Sequence, residues 1–305
     1  MSLASLLSGS GPSGFGYGST AEEVTEGLDL HGRTMLVTGC NSGLGQETMR
    51  VLALRGARVL AAARTVEKAE AATRGLSGEF VPLACELSEP ASVRACVEAV
   101  QGLGFALDAI IANAGIMALP ELQKAHGYEL QFFTNHIGHF ILITGLLDRL
   151  ADRGRVVVLS SEALRAAPKG GIDFDNLDGA RGYSPWGFYG QSKLANLLFT
   201  KQLAKRLQGT RKTANAVHPG VIDTNLSRSM HPAYRLGYAV MRPLFLKTIP
   251  QGAATQTYVA THPRLEGVSG EFFSHCNLKK SPRIALDAAL AERLWDESER
   301  IVARL

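Results

Sequence analysis

Residues 34–45 read Thr-Met-Leu-Val-Thr-Gly-Cys-Asn-Ser-Gly-Leu-Gly, and this stretch decides the fold. Its first five residues are a short, β-branched apolar run that stops at Gly39, the pattern of a buried strand. Helical spacing of apolar residues follows over 44–54. A glycine-rich turn between a strand and a helix lets the backbone approach a phosphate, and the helix N-terminus adds N–H donors. The stretch therefore predicts a dinucleotide-binding turn, although a glycine-rich motif alone is weak evidence.

The same alternation of strand and helix continues along the chain. Strand-like apolar runs occupy 59–63, 80–84, 109–112, 155–159, 213–217 and 271–274. Helical patterns occupy 66–74, 89–103, 128–150 and 188–207. Strands that alternate with helices of this length predict parallel pairing, and nearly all-apolar strands predict a sheet covered on both faces. We therefore expect an α/β fold with a single Rossmann-type, doubly wound parallel sheet of about seven strands and helices on both faces.

Three segments divide the chain. Residues 1–29 are expected to be an N-terminal leader with a short helix, because Thr20-Ala-Glu-Glu23 fits a capping box. Residues 30–280 contain the alternating pattern without a Pro- or Gly-rich linker and predict one catalytic domain. Residues 281–305 predict a C-terminal amphipathic helix.

Composition narrows the function. The net charge of +4 comes from basic residues that form no long run, which argues against a nucleic-acid partner. No CxxC pair occurs among the four cysteines, so neither a zinc site nor a disulfide framework is expected. No apolar run reaches the length of a membrane span, and the expected location is cytoplasmic. His136, His139 and His218 lack metal spacing and are expected to be structural, so no metal is predicted.

The end of the second strand predicts the cofactor. An Asp or Glu at this position binds the 2′-hydroxyl of NAD. This chain has Ala61-Ala-Ala-Arg64 instead, so a guanidinium stands where a 2′-phosphate would lie, and NADP(H) is preferred. Ser42 is a second donor to the same phosphate. The alternative is that Arg64 merely begins a solvated helix.

Four polar features lie near strand ends and on two helices. Asn113-Ala114-Gly115 follows the fourth strand, and Ser160-Ser161 closes the fifth. Asn135 lies in the pattern 128–150, and Tyr189-Gly-Gln-Ser-Lys193 lies in the pattern 188–207. Each feature alone is common. Their combination behind a phosphate-binding turn favours catalysis.

The spacing of Tyr189 and Lys193 explains the chemistry. Residues i and i+4 share one helix face. A free phenol has a pKa near 10, and a neighbouring ammonium stabilises the phenolate, so such a phenol exchanges protons near neutral pH. It can then protonate a carbonyl oxygen or deprotonate an alcohol. Ser161 can hydrogen-bond the same oxygen, and Asn135 can hold a water that links Lys193 to solvent.

Together these motifs resemble the short-chain dehydrogenase/reductase family over about residues 30–275. Within it, the chain is similar to the retinol-dehydrogenase-like group, which includes the oxidoreductase domain of WW-domain oxidoreductases. The resemblance is carried by Thr38-Gly39-x3-Gly43-Leu44-Gly45, Asn113-Ala114-Gly115, Asn135, Ser161, Tyr189-x3-Lys193, His218-Pro219-Gly220 and 269–276. Many retinol dehydrogenases carry an N-terminal membrane anchor, and the absence of one here weakens retinol itself as the expected substrate.

The resemblance implies roles for these residues. Tyr189 is the acid/base, Lys193 binds the nicotinamide ribose, Ser161 orients the substrate oxygen and Asn135 continues a proton relay. The cofactor is expected to be lined by Gly39, Asn41, Ser42, Gly43, Leu44, Gly45, Arg64, Glu86, Leu87, Asn113, Ala114, Gly115, Tyr189, Lys193, Pro219, Gly220, Val221 and Thr224. Glu86 stands near the adenine where the family usually has Asp, and in this it departs from the family pattern.

Substrate loops are expected after the strand ends, at 116–122, 162–188 and 222–246. They carry the apolar side chains Met117, Trp186, Phe188, Met230, Tyr234, Tyr238, Met241 and Phe245. A hydrophobic ketone, aldehyde or alcohol would suit such a pocket. The alternative function is a catalytically silent NADP-binding sensor or scaffold protein, which would not need the catalytic set. The resemblance also implies a homodimer formed through the helices predicted at 128–150 and 188–207.

Overall fold

Eight strands form the central sheet of the computed structural model, which describes residues 8–222 and 246–305. They are β1 (Thr34–Thr38), β2 (Arg58–Ala63), β3 (Glu79–Ala84), β4 (Leu107–Ala112), β5 (Leu150–Leu159), β6 (Thr213–His218), β7 (Phe272–Ser274) and β8 (Asn277–Leu278). Their order across the sheet is β8-β7-β6-β5-β4-β1-β2-β3. The seven strands β1 to β7 pair in parallel, as predicted.

The short strand β8 is an addition that the sequence did not indicate. It pairs antiparallel with β7 through a turn whose two central residues, His275 and Cys276, have φ of 53° and 61°. Two-residue hairpins require this left-handed backbone, which glycine and asparagine adopt most readily. Positions 275 and 276 are neither glycine nor asparagine, so the sequence lacks the residues that usually indicate such a hairpin.

Seven principal helices surround the sheet within the described residues. They are α1 (Gly43–Leu54), α2 (Val66–Thr73), α3 (Pro90–Gly102), α4 (Gly138–Leu146), α5 (Pro185–Arg206), α6 (Ile249–Thr261) and α7 (Ala288–Ala303). Apolar residues of α3, α4, α5 and α7 belong to one buried core, and those of α1, α2 and α6 belong to the other. The predicted doubly wound arrangement is therefore confirmed.

Strand β1 shows why the central strands read as unbroken apolar runs. All five of its residues are buried. Leu36 belongs to one core, whereas Met35 and Val37 belong to the other, because side chains alternate across a strand. A strand covered on both faces has no solvent side that would select polar residues.

The prediction of one continuous helix over 128–150 is wrong, because the structure has several separate elements there. Tyr128–Glu129 is a strand that pairs with Lys124–Ala125, and a short helical segment, Leu130–Phe132, follows it. The π-helical turn Phe133–Ile137 then precedes α4. The pattern also includes the first residue of β5, which begins at Leu150 and not at residue 155. Uniformly apolar sequence hid these breaks, because a buried helix and a buried strand share the same composition.

The C-terminal helix α7 packs on α4 and α5. The Trp295 ring stacks on Phe199 with centroids 5.6 Å apart and meets Phe140 edge-on at 5.0 Å. Ser298 Oγ lies 2.8 Å from His136 Nε2. The predicted helix is present, and it covers a face of the two helices that the resemblance assigned to dimerisation.

The N-terminal segment is attached to the same framework. Thr20 and Glu23 form the reciprocal bonds of the predicted capping box, with Glu23 N 3.3 Å from Thr20 Oγ1 and Thr20 N 2.7 Å from Glu23 Oε2. The helix that follows is one 3-10 turn, Glu23–Thr25. None of the helices in residues 8–222 and 246–305 combines the length and apolar character that crossing a bilayer requires.

Candidate active site

Helix α5 carries the proposed acid/base pair. It begins at Pro185, and the Ser184 hydroxyl caps it by accepting from Gly187 N at 3.2 Å. Proline tolerates the first helical position because its missing N–H would have no partner there. Tyr189 and Lys193 lie one turn apart farther along and are 8% and 5% exposed. The capped start thus fixes the helix register that brings both side chains to the same face.

The Lys193 ammonium lies at the end of β5. Its Nζ donates to the Leu159 carbonyl at 3.1 Å and lies 5.7 Å from the centre of the Tyr189 ring. The Ser160 hydroxyl donates to the Lys193 carbonyl at 2.7 Å. This bond connects the end of β5 to α5. Burial lowers the pKa of Lys193 to about 8. The side chain therefore keeps its proton at neutral pH and gives it up a little above.

Ser161 follows Ser160 and points in a different direction. Its Oγ accepts from Ala163 N at 3.2 Å and caps the 3-10 turn Glu162–Ala166. A hydroxyl that accepts this bond retains its own hydrogen as a donor. Ser161 can therefore donate to a substrate oxygen without breaking the turn.

Asn135 lies in the π turn, and its side chain is fully bonded. Its Oδ1 accepts from Ile116 N at 2.8 Å, and its Nδ2 donates to Ile116 O and to Ser192 Oγ, each at 2.9 Å. A Cβ built on Gly115 would lie 3.0 Å from Asn135 Oδ1 and 3.4 Å from Lys193 Nζ. Asn135 and Lys193 thus converge on Gly115. π turns interrupt helices frequently at functional sites.

The glycine-rich turn has the shape that a pyrophosphate requires. Gly39 has φ of +68°, and a Cβ on it would lie 3.0 Å from Ala114. A Cβ on Gly45 would lie 2.6 Å from Asn113 Nδ2 and would also clash with the Gly39 carbonyl. Glycine alone fits both positions, because any side chain would fill the cradle.

The N-terminus of α1 is suited to an anion. Ser42 is its N-cap residue, yet no side-chain cap hydrogen bond forms there, and the first turn contains no acidic residue. Gly43 has φ of +56°, Leu44 is buried, and Asn41 is half-buried. Unsatisfied N–H groups and the helix dipole both favour a phosphate at such a terminus. The residues therefore fit the phosphates of a dinucleotide.

Asn113 and Ala114 are fixed to the end of β1. Both backbone N–H groups donate to Thr38 Oγ1 at 3.0 Å, and Asn113 Nδ2 donates to Thr38 O at 2.9 Å. The Asn113 Oδ1 accepts from Gln256 Nε2 at 3.1 Å. Neither Thr38 nor Gln256 was assigned a role from the sequence. Threonine in a strand and glutamine in a helix carry no distinctive signal.

Arg64 and Glu86 follow β2 and β3, on the edge where the adenosine end is expected. The Arg64 side chain is exposed and makes no hydrogen bond or ion pair with residues that the structure describes. Glu86 Oε1 accepts from Ser88 Oγ at 3.0 Å, so its carboxylate shapes its own turn. Leu87 is buried, and its carbonyl is so close to Gly138 that a Cβ there would clash.

Pro219, Gly220 and Val221 leave the end of β6 beside this site. Gly220 has φ of +101°, and a Cβ on it would lie 2.9 Å from Lys247 Cδ. The Val221 side chain is 52% exposed. Thr224, which was also assigned to the cofactor, lies outside the described residues, as do Met230, Tyr234, Tyr238, Met241 and Phe245 of the third substrate loop.

Two aromatic residues of the second substrate loop lie in different places. The Trp186 ring lies edge-on to Tyr189, with centroids 6.0 Å apart. Phe188 instead packs on Tyr183 at 5.3 Å, and both line a groove of about 300 Å³ that also includes Gln191. Trp186 is therefore the better candidate for a substrate contact. Among the described residues, no group of three or more His, Cys, Asp or Glu side chains could hold a metal ion.

A model of the short chain dehydrogenase family matches residues 33–174. The short-chain dehydrogenase TIC 32 B, chloroplastic, of Brassica napus is 42% identical over 324 residues that cover 100% of each chain. Retinol dehydrogenase 14 of Homo sapiens is 38% identical and covers 90% of this chain and 88% of its own. The WW domain-containing oxidoreductase of Drosophila melanogaster is 37% identical, over 94% of this chain and 72% of its own.

The fold also matches a solved structure. The crystal structure of an uncharacterised protein from Mycobacterium Paratuberculosis superposes with a TM-score of 0.76 at 35% identity. It covers 92% of this chain and 97% of its own. The architecture described above is therefore shared with an experimentally determined relative.

Proposed function

Since the chain belongs to the short-chain dehydrogenase/reductase family, in its retinol-dehydrogenase-like group, we propose that it is an NADP(H)-dependent oxidoreductase. It transfers a hydride between nicotinamide and a carbonyl or alcohol carbon of a hydrophobic small molecule. One observation carries the proposal: Tyr189 and Lys193 share a buried helix face, and Asn135 and Lys193 both approach Gly115, which follows the residues packed on the glycine-rich turn.

Tyr189 is the general acid in reduction and the general base in oxidation. In reduction its phenol gives a proton to the carbonyl oxygen while the carbonyl carbon receives the hydride, which yields the alcohol. Ser161 donates to the same oxygen and stabilises the negative charge that develops on it. Lys193, protonated at neutral pH, stabilises the phenolate left after transfer.

Asn135 supports the return of the proton. Its side chain fixes the backbone at Ile116, and Gly115 allows it to lie close to the Lys193 ammonium. A water held near Asn135 can then pass a proton between Lys193 and solvent. The role needs Asn135 to be rigid, and three hydrogen bonds supply that rigidity.

The cofactor is proposed to be NADP(H), which supplies or accepts the hydride when bound. The turn from Gly39 to Gly45 and the N-terminus of α1 would hold its phosphates, and Arg64 and Ser42 would bind the 2′-phosphate. Leu87, Asn113 and Val221 would line the rest of the cofactor. Support for the 2′-phosphate contact is that Arg64 is exposed and has no competing partner within the described chain.

The alternative is a silent NADP-binding sensor or scaffold protein. Such a protein would need the glycine-rich turn and the ribose contact of Lys193, but not Ser161 or the relay at Asn135. The presence of these two residues favours the enzyme, because cofactor binding alone requires no group that acts on a substrate oxygen or returns a proton.

The deciding experiment is a panel of hydrophobic ketones, aldehydes and alcohols, including retinoids, steroids and aryl ketones, with NADPH and NADP⁺. Turnover that vanishes in Tyr189→Phe while NADPH still binds supports the enzyme. Tight NADPH binding without turnover of any substrate supports the sensor.

Three further proposals concern context. We propose a cytoplasmic location and the division into 1–29, 30–280 and 281–305 on the sequence patterns alone. We also propose that any homodimer uses a surface other than the face of α4 and α5 that α7 covers, because Trp295 and Ser298 already occupy it.

A further inference from the structure

A buried histidine connects two parts of the site that are far apart in the sequence. His139 lies in the first turn of α4 and is 1% exposed. Its Nε2 lies 2.9 Å from Thr38 Oγ1, at the end of β1. Its Nδ1 lies 3.0 Å from the carbonyl oxygen of Asn135. The imidazole thus spans the distance between the cofactor turn and the proton relay.

The neighbouring bonds determine which nitrogen carries the hydrogen. Thr38 Oγ1 accepts from Asn113 N and Ala114 N, each at 3.0 Å. A hydroxyl has two acceptor sites and one hydrogen, so the Thr38 hydrogen is directed to His139 Nε2. The Asn135 carbonyl can only accept, and therefore Nδ1 must be the protonated nitrogen. The partners of Nε2 and of Nδ1 therefore both require the Nδ1–H tautomer.

The surroundings also keep the ring neutral. Burial, assisted by the charge of Lys193, lowers the pKa of His139 to about 4. A protonated ring would have two donors and would face the Thr38 hydrogen with a second one. The neutral ring keeps one donor and one acceptor, which is what its two partners require.

The hydrogen bonds of the Asn135 side chain do not restrain the backbone carbonyl of the same residue. Side-chain bonds run to Ile116 and Ser192, whereas the carbonyl is met by His139 Nδ1. A π turn surrounds it, in which backbone bonds are displaced from the α-helical pattern. The histidine therefore fixes the direction in which this carbonyl points.

We propose that His139 is a positioning residue, which through its Nδ1–H tautomer locks the Asn135 carbonyl to the Thr38–Asn113–Ala114 end of the cofactor cradle. This inference rests on the proposed function, because it gives a precise geometry to the relay assigned there. His139 contacts neither substrate nor cofactor in this role. It acts through Asn135 and Thr38.

A matched control lies three residues earlier. His136 is also 1% exposed and in the same helical region, but its Nε2 meets Ser298 Oγ of α7 at 2.8 Å. Burial lowers its pKa to about 3. His136 thus shares residue type, burial and neutrality with His139 and differs in its partners.

The kinetic test compares His139→Phe with His136→Phe in the full-length chain. We expect His139→Phe to lower kcat about ten- to a hundredfold, because small displacements of a catalytic group cost this much. The KM for NADPH should change less than threefold, and the solvent deuterium isotope effect on kcat should rise. His136→Phe should lower the melting temperature and leave kcat within twofold. Equal kcat losses in both variants, or none in His139→Phe, overturn the proposal.

A second measurement needs no substitution of the histidine. Nitrogen-15 NMR of the imidazoles in the wild type should show His139 protonated at Nδ1 and without titration between pH 5.5 and 8. Thr38→Ser should preserve this signature, whereas Thr38→Val should keep the hydrogen on Nδ1, which still meets the Asn135 carbonyl, and shift only the Nε2 resonance, which loses its donor. A wild-type signal from Nε2–H overturns the proposal. Because this readout does not depend on turnover, it separates failure of the positioning role from failure of the oxidoreductase function.

Discussion

Lys193 Nζ lies 5.7 Å from the centre of the Tyr189 ring, close enough for its charge to act on the phenol. The ammonium is held by the Leu159 carbonyl at 3.1 Å, so the pair is in place before any ligand arrives. Electrostatic preorganisation of this kind costs no rearrangement during the reaction.

Tyr189→Phe should therefore abolish turnover without disturbing cofactor binding. Removal of a positioned general acid costs about 10²- to 10⁴-fold in rate, and we expect kcat to fall by that factor. The dissociation constant for NADPH, measured by fluorescence titration, should change less than threefold. Tyr183→Phe is the control, because the Tyr183 hydroxyl donates to Leu119 O and belongs to the groove behind the helix. Retained full activity in Tyr189→Phe would refute the mechanism.

Arg64→Ala should discriminate between the two nicotinamide cofactors. A charge-assisted hydrogen bond contributes about 1.5–3 kcal/mol, so the KM for NADPH should rise about tenfold or more. The KM for NADH should stay within twofold, because NADH has no 2′-phosphate. Arg74→Ala removes another exposed arginine ten residues farther along and should affect neither constant. Equal losses with both cofactors in Arg64→Ala would mean that Arg64 does not bind the 2′-phosphate.

Gly190→Ala should displace the catalytic helix. A Cβ on Gly190 would lie 2.5 Å from the Ala163 carbonyl, in the turn that Ser161 caps. Overpacking typically costs about 1–3 kcal/mol, and we expect a lower melting temperature together with a several-fold lower kcat. Gly102→Ala is the control, because nothing lies within 4 Å of its Cβ position. A Gly190→Ala enzyme as stable and active as the Gly102→Ala enzyme would contradict this packing.

The features that the sequence predicts well are local. The helix predicted over 188–207 is present and begins at Pro185, Tyr189 and Lys193 share a face by spacing alone, and Gly39 follows a buried strand. In each case neighbours along the chain determine the geometry, so the residue pattern contains the answer. The same holds for the parallel pairing of the strands, which follows from the alternation of strands and helices.

The features that the sequence conceals depend on distant contacts. His139 was expected to be structural, because its partner Thr38 lies 101 residues away. The π turn at Phe133–Ile137 was hidden by a uniformly apolar stretch, in which one extra residue per turn leaves no trace. Lys247 lies in a loop, and nothing in its neighbours along the chain indicates that the fold buries it.

Trp295→Ala should report on the role of the C-terminal helix. Truncation of a buried tryptophan to alanine costs about 3–5 kcal/mol, so the melting temperature should fall strongly. Site-directed crosslinking of the wild type should join no two copies through α4 or α5, because Trp295 and Ile301 are buried there within one chain. A wild-type dimer in which crosslinks join α4 or α5 of the two copies would contradict this expectation.

Lys247→Met should stabilise the protein below pH 8. Lys247 is 1% exposed, its Nζ has no hydrogen-bond partner within the described residues, and the Tyr17 ring lies 4.7 Å away. Burial lowers the pKa of Lys247 to about 8 from the usual 10.5. The folded state therefore binds this proton less tightly than the unfolded state, and the charged form costs folding energy. Methionine has a similar length and avoids that cost.

The sign of the pH effect follows from linkage. The cost of the buried charge is fully present below pH 8 and disappears as pH rises from about 8 to 10.5, because the folded state loses the proton first. Urea unfolding should show Lys247→Met more stable than wild type at pH 7 by on the order of 1–3 kcal/mol. This difference should shrink towards zero by pH 10.5. Lys68→Met, an exposed lysine on α2, should show no such convergence. If Lys247→Met is instead less stable than wild type at pH 7, the ammonium has a partner in solution, and its lowered pKa does not reflect an uncompensated charge.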